Sequence, residues 1–327
     1  MKGKFLLLCF CISLKLFAQN DTTIKKDTAI VDISNEIDST KWASGEERPA
    51  LKVFYGQRLI NAKTVEVLRK GVMAFTVIHN FGDIAGNAGG IKNFFGLDVP
   101  SDAQIGFQIG LGNRLNLLLQ HTVGSGPIAH FYEAGLKYQF MRQEPNGLPF
   151  SLTTYANVVS TAQKVDTANG REASFISSSD RLSELLQLMI ARRFGSISLQ
   201  LSATFLHTNY VIPGDQNNLF AIGGAIRLPI TKRFVIISDY FHSFRSDESI
   251  DFWKNNGVTP KDVFGIGIEI LTQGHVFHMN FTNARNILEN RFLTRTTESW
   301  GKGQFRWGFT LTRNFILFRN KKTSSNK

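Results

Sequence analysis

Cysteine is nearly absent from this 327-residue chain: the only two, Cys9 and Cys11, stand among the first eleven residues. Neither suits lipid attachment, which needs a small residue before the modified cysteine, because Leu8 and Phe10 are large. No later window holds eighteen consecutive apolar residues, so no transmembrane helix is predicted after the first segment. The GxSxG elbow, the Walker loop, HExxH, paired CxxC and the EF-hand loop are all missing, and with them the usual sequence signatures of several enzyme and metal-binding classes. Gly86-Asn87-Ala88-Gly89-Gly90 precedes no Lys-Ser pair and opens no helix, so it reads as loop and not as a phosphate cradle. Asp247, Glu248 and Asp251 cluster without the spacing of a calcium loop and read as solvated surface. No cofactor and no metal is expected.

The first residues, MKGKFLLLCFCISLKLFAQN, combine Lys2 and Lys4, a short apolar run and a Leu16-Phe17-Ala18 cleavage pattern. That is the layout of a secretory signal peptide over residues 1–18. Its removal takes three lysines and no acids, lowering the formal charge from +11 to +8 and leaving the rest of the chain without thiols. Half of the remaining excess sits on a basic tail, 319–327. No nucleic-acid-binding motif accompanies that charge, so anionic lipid and not nucleic acid is its expected neighbour. Residues 19–50 are polar without a sustained period and read as a flexible periplasmic leader.

From Leu51 onward the pattern changes to two-residue alternation, with the barrel strands placed between 71 and 318 and Lys63 to Leu68, KTVEVL, left open as a short extra strand. In SISLQLSATFLH, Ile197, Leu199, Leu201, Ala203 and Phe205 share one face, and Ser198, Gln200, Ser202 and Thr204 share the other. About twelve such strands are predicted, with tight turns after every even one and longer loops after every odd one. A soluble sandwich gives no reason for that regularity, whereas an up-and-down outer-membrane barrel puts short turns at the periplasmic rim and long loops outside. Aromatic residues near strand ends, such as Phe140, Phe150, Phe234 and Tyr240, fit the girdles of such a barrel. The reading is therefore an all-β, transmembrane, antiparallel barrel in the outer membrane of a Gram-negative-type envelope. Residues 51–70 are expected as a periplasmic strap below it. Phe318 is followed by nine polar or basic residues where many such barrels stop on an aromatic, which leaves the end of the last strand open.

Several strings resemble the bacterial outer-membrane barrel family known as domain of unknown function 5777: GVMAFTVIHNFGDIAGNAGGIKNFFGLD, GDQNNLFAIGGAIRLPITKRF, TQGHVFHMNFTNARNILEN and WGKGQFRWGFTLTRNF. The resemblance spans roughly Leu51 to Phe318. It implies a membrane barrel and no particular activity.

Candidate site residues follow from the strand layout. Asp83, Asp215, Asn217, Asn283 and Arg285, with Trp300 as a stacking surface, fall at the extracellular rim and would be the contacts of a ligand, although turn-building is the favoured explanation of the same residues. Gln104, Gln108, Glu133, Lys137, Gln139, Gln200, Glu269, His278, Asn280 and Arg306 are expected to line a polar lumen of mixed charge. The leading functional reading is a small-solute pore in the bilayer. A non-conducting barrel that binds an unidentified protein partner through its loops or leader is the alternative. A lipid or ester hydrolase built on His278 and Asn280 is a third, weakened because no serine neighbours that pair.

Overall fold

A computed structural model describes residues 50–86, 89–168, 170–272 and 274–318. The expected signal peptide, nearly all of the leader and the basic tail lie outside the described residues. Twelve antiparallel strands close into one barrel. They are β1 (Val72–Asp83), β2 (Pro100–Gly110), β3 (Leu115–Val123), β4 (His130–Met141), β5 (Ser151–Thr161) and β6 (Leu182–Phe194), then β7 (Ile197–Thr208), β8 (Asn218–Pro229), β9 (Phe234–Phe244), β10 (Val263–Leu271), β11 (His275–Thr282) and β12 (Arg306–Ile316). Each strand pairs with its neighbours in sequence, and β1 closes on β12 with Val72 opposite Ile316. Among the described residues no helix is long and apolar enough to cross a membrane.

Alternation sets which way each side chain points. On β7, Leu199, Leu201 and Phe205 are exposed on the outer face, and Ser198, Gln200, Ser202 and Thr204 are buried inside. On β9 the alternation fails in an informative way, since Phe234, Ile236 and Tyr240 face out while Val235, Ile237 and Phe241 are buried inside. A strand apolar on both faces needs apolar packing on both, here lipid outside and a core within. The uniformly polar interior expected from sequence is therefore corrected: Leu185 and Met189 of β6, Leu206 of β7 and Leu219 of β8 extend one apolar cluster across the lumen.

What they pack against is the segment 51–70, and this is the larger correction. It does not lie beneath the barrel but folds into it as a hairpin. Val53, Phe54, Leu59, Ile60, Ala62 and Val65 are each at most 4% exposed and belong to the luminal core. Such side chains lose roughly 1.5–3 kcal/mol apiece if left in water, alanine less, which gives a run outside the strands a reason to enter the barrel. Both limbs leave at the rim of the short turns: Leu51 donates to the Gln143 carbonyl on the β4–β5 turn, and Gly71 to Gly110 at the end of β2. Gly110 is required there, because a Cβ at this position would stand 2.0 Å from the Arg69 carbonyl oxygen.

Among the described residues the long loops carry two short α-helices that strand alternation does not signal. α1 (Asp247–Asn255) lies between β9 and β10, and α2 (Glu289–Arg295) between β11 and β12. Ser246 caps α1 by accepting from the Ser249 amide, and Asp247 and Glu248 occupy its first turn. Carboxylates placed there complement the helix dipole, which accounts for the acidic cluster without a metal. Among the described residues no set of three or more ligating side chains could hold one.

Candidate functional site

The lumen is the candidate site, and the hairpin occupies it. Its tip, Leu59 to Ala62, turns back through a Leu59 amide to Ala62 carbonyl bond of 2.9 Å. One carboxylate of the wall receives that tip. Asp239 Oδ2 accepts from the amides of Ile60, Asn61 and Ala62 at 3.2, 2.6 and 2.8 Å, and its Oδ1 accepts from Asn61 Nδ2 at 2.8 Å. Three convergent backbone donors replace the water that an inward carboxylate would otherwise need.

Wall amides grip the descending limb as a neighbouring strand would. Gln200 donates to the Lys63 carbonyl and accepts from the Val65 amide; Asn116 does the same for the carbonyl and amide of Leu68. Gln139 and Thr153 both donate to the Val65 carbonyl. Glu66 ties the two limbs together, accepting from the amides of Val53 and Phe54. Buried backbone groups that have no ladder of their own are thus satisfied by side chains of the barrel.

From the opposite rim the β11–β12 loop folds inward to meet the tip. Ala284, Ile287, Leu288, Phe292 and Leu293 are buried, and Phe292 packs on Phe241 with ring centres 5.3 Å apart. Arg58 of the hairpin donates to the Ile287 carbonyl. Lys63 lies between Glu289 of α2, at 2.7 Å, and Glu133 of β4, at 3.3 Å. Its ammonium therefore joins hairpin, loop and wall at one point.

The expected luminal residues all point inward and are buried, each with a definite surrounding. Gln104 donates to Thr122, and Gln108 to Gln57 and Asn116. Glu133 accepts from Lys63, Tyr155 and Asn157. Glu269 pairs with Arg227 at 2.8 Å and faces His278 Nε2 at 3.2 Å, while His278 Nδ1 donates to the Leu59 carbonyl. Asn280 lies opposite Gly308, and Arg306 pairs with Asp83 and Glu298. Lys137 is fully buried, and its ammonium reaches no hydrogen-bonding partner among the described residues.

The six rim residues do not converge. Asn217 is used on the carbonyls of Thr208 and Asn209, and Arg285 donates to Ser125. Asn283 accepts from the Phe264 amide, and Trp300 donates to the Phe264 carbonyl while stacking on Phe305. Asp83 pairs with Arg306 and Asp215 with Arg245 and Arg295, at separate places. Residues missed in the sequence do the joining: Glu172 takes Arg291 at 2.8 Å and Arg295 at 2.6 Å, so four of the longer loops share one ionic network. Beside it lies a cavity of about 50 Å³, lined in part by Phe131, Phe175, Tyr210 and Leu288, with room for a few waters.

Burial opposes the charge on Glu172, but Arg291 and Arg295 outweigh it and hold its carboxyl at about 2. A carboxylate depressed below its ordinary value of roughly 4.3 contributes stability above that value and loses it as the pH falls toward the folded one. The network should therefore hold at neutral pH and loosen between about pH 4.5 and 2. Arg295 lies over Trp253, so Trp253 emission, with the other tryptophans replaced by phenylalanine, should shift in that window. Glu172→Gln should remove the transition; a shift that persists in the variant assigns it to another group.

The sequence profile of the family described as "Membrane bound beta barrel domain", DUF5777, matches residues 54–315. No curated protein matches the chain. Among solved structures, the KdgM porin is similar over 74% of this chain and 99% of its own, at 8% identity and a TM-score of 0.46. The NanC porin covers 75% and 100% at 5% identity and a TM-score of 0.45. An outer-membrane channel from Pseudomonas putida F1 covers 77% and 98% at 13% identity and a TM-score of 0.45. Likeness at this level carries no functional argument.

Proposed function

We propose, from the premise that the chain belongs to the DUF5777 family of membrane-bound β-barrels, that this outer-membrane protein is a small-solute channel shut at rest by its own N-terminal hairpin. One observation carries the reading. The wall facing the hairpin presents Gln200 and Asp239, whose partners among the described residues are all hairpin groups, and Asn116 and Gln139, which bond hairpin backbone as well as Gln108 and Arg142 of the wall. Withdrawal of the hairpin would leave groups that water can satisfy, which a permanently packed core has no need of. Both limbs leave at one rim, so withdrawal threads no chain end through the barrel.

The apolar contacts set how hard that withdrawal is. Five large hairpin side chains at roughly 1.5–3 kcal/mol each resist it, so spontaneous opening should be rare and a driving force is needed. The same contacts favour a second reading, a non-conducting barrel that presents loops or leader to a partner. Planar-bilayer recording separates the two. The wild-type protein should be almost silent, and a chain lacking residues 51–69 should conduct continuously. A deletion variant that inserts, remains heat-modifiable on SDS gels and stays silent would leave the non-conducting reading in its place.

We read the protein as no enzyme. His278, the base of the hydrolase alternative, is held by the Leu59 carbonyl and Glu269 inside the filled lumen, away from the lipid face where an ester would arrive.

A further inference from the structure

Charge is distributed differently on the two rims. The six longer loops (84–99, 124–129, 162–181, 209–217, 245–262 and 283–305) together hold eleven acidic and eleven basic residues. The five short turns (111–114, 142–150, 195–196, 230–233 and 272–274) hold a single carboxylate, Glu144. Around them stand Arg114, Arg142, Lys232 and Arg233 within the turns and Arg192 and Arg193 at the end of β6. Arg69 and Lys70, where the hairpin passes into β1, and Arg313 near the end of β12 continue the collar.

The placement of these cations distinguishes a lipid surface from a soluble partner. Arg192 lies over Phe194 at 4.7 Å and Arg313 over Phe315 at 5.1 Å, with all four side chains exposed on the outer face where the strands leave the hydrocarbon. Leu111, Leu148, Ile230 and Phe234 are exposed on the same rim. An apolar stem or ring in the acyl region with a guanidinium just above it is the arrangement of an interfacial anchor. Opposite charge at that depth is supplied by phosphate headgroups, and each cation near an anionic surface contributes about a fivefold preference.

We propose that this collar binds the anionic phospholipid headgroups of the periplasmic leaflet and fixes the depth of the barrel. The inference is independent of whether the lumen opens. It is tested with the full-length protein in nanodiscs of phosphatidylcholine and phosphatidylglycerol, the lipids retained after release being counted by native mass spectrometry. Wild-type protein should retain phosphatidylglycerol preferentially. The variant Arg192→Gln/Arg313→Gln/Lys232→Gln/Arg233→Gln should lose the preference by about fivefold per group. Lys92→Gln/Lys254→Gln/Lys302→Gln on the other rim should keep it. Where the fourfold variant fails to form a heat-modifiable barrel, Lys232→Gln/Arg233→Gln in the exposed β8–β9 turn carries the test, with about a 25-fold loss. Equal retention of both lipids by the wild type, or an undiminished preference in the turn variant, overturns the proposal. A preference that emerges only when residues 19–50 are deleted also overturns it, because that segment, with seven acids and four bases, would then be the collar's occupant.

Discussion

Asp239→Ala should unlatch the hairpin. The substitution removes the acceptor of three backbone amides and of Asn61 Nδ2, all buried. Leaving a buried donor unsatisfied costs about 1–3 kcal/mol, and the tip can recover water only by moving out of its socket. If the tip alone relaxes by about 3 kcal/mol, the occupancy of the open state should rise by roughly a hundredfold or more. In planar bilayers this appears as frequent openings where the wild type is almost silent. Asp239→Asn should fall between the two, because one carbonyl oxygen can still accept while its amide opposes Asn61 Nδ2. A barrel as silent with alanine as with aspartate would mean that the tip does not hold the gate.

The second large effect is expected at Lys63. Lys63→Met deletes the ammonium between Glu133 and Glu289, neither more than 3% exposed, and leaves two buried carboxylates without their shared cation. Removing one partner of a buried ion pair typically costs about 3–5 kcal/mol. The temperature at which the barrel unfolds on SDS gels should drop, and trypsin should gain access to Arg291 and Arg295 as α2 leaves the lumen. Adding Glu289→Gln to Lys63→Met should restore part of the loss, since one unpaired charge then disappears. A double variant no more stable than the single one would show that the two carboxylates do not share the lysine.

The barrel was legible because its physics is local. A strand between lipid and lumen must alternate, so β7 and β12 announce themselves, and the contrast between turn and loop lengths gives the topology without a single tertiary contact. The contents of the lumen were not, because they depend on contacts between residues far apart in sequence. LKVFYGQRLINAKTVEVL alternates only over its last residues, KTVEVL, too short to cross a bilayer, and its readable signal was the cost of leaving Phe54, Leu59, Ile60 and Val65 outside a barrel whose outer face meets lipid. β9 offered a second hint, since a membrane strand with apolar residues on both faces requires something apolar inside. The rim candidates Asn217 and Asn283 were found as polar residues at bends, and backbone bonding within and between loops is what they do. Asp239 and Glu172 gave no local sign, because each acquires its role from donors more than 100 residues away.

The hairpin also imposes an order on biogenesis. It lies immediately before β1, yet its partners are spread over strands from β2 to β11, among them β4, β5, β7 and β9, and the seam that encloses it joins residue 72 to residue 316. The earliest piece of the barrel segment is therefore fully enclosed only when the last strand pairs with the first. Such pairing between distant parts of the sequence is slow to form. Strands that gather around the hairpin would bury their inward polar groups as they arrive, so the plug can serve as the mandrel on which the wall is wound before the seam shuts.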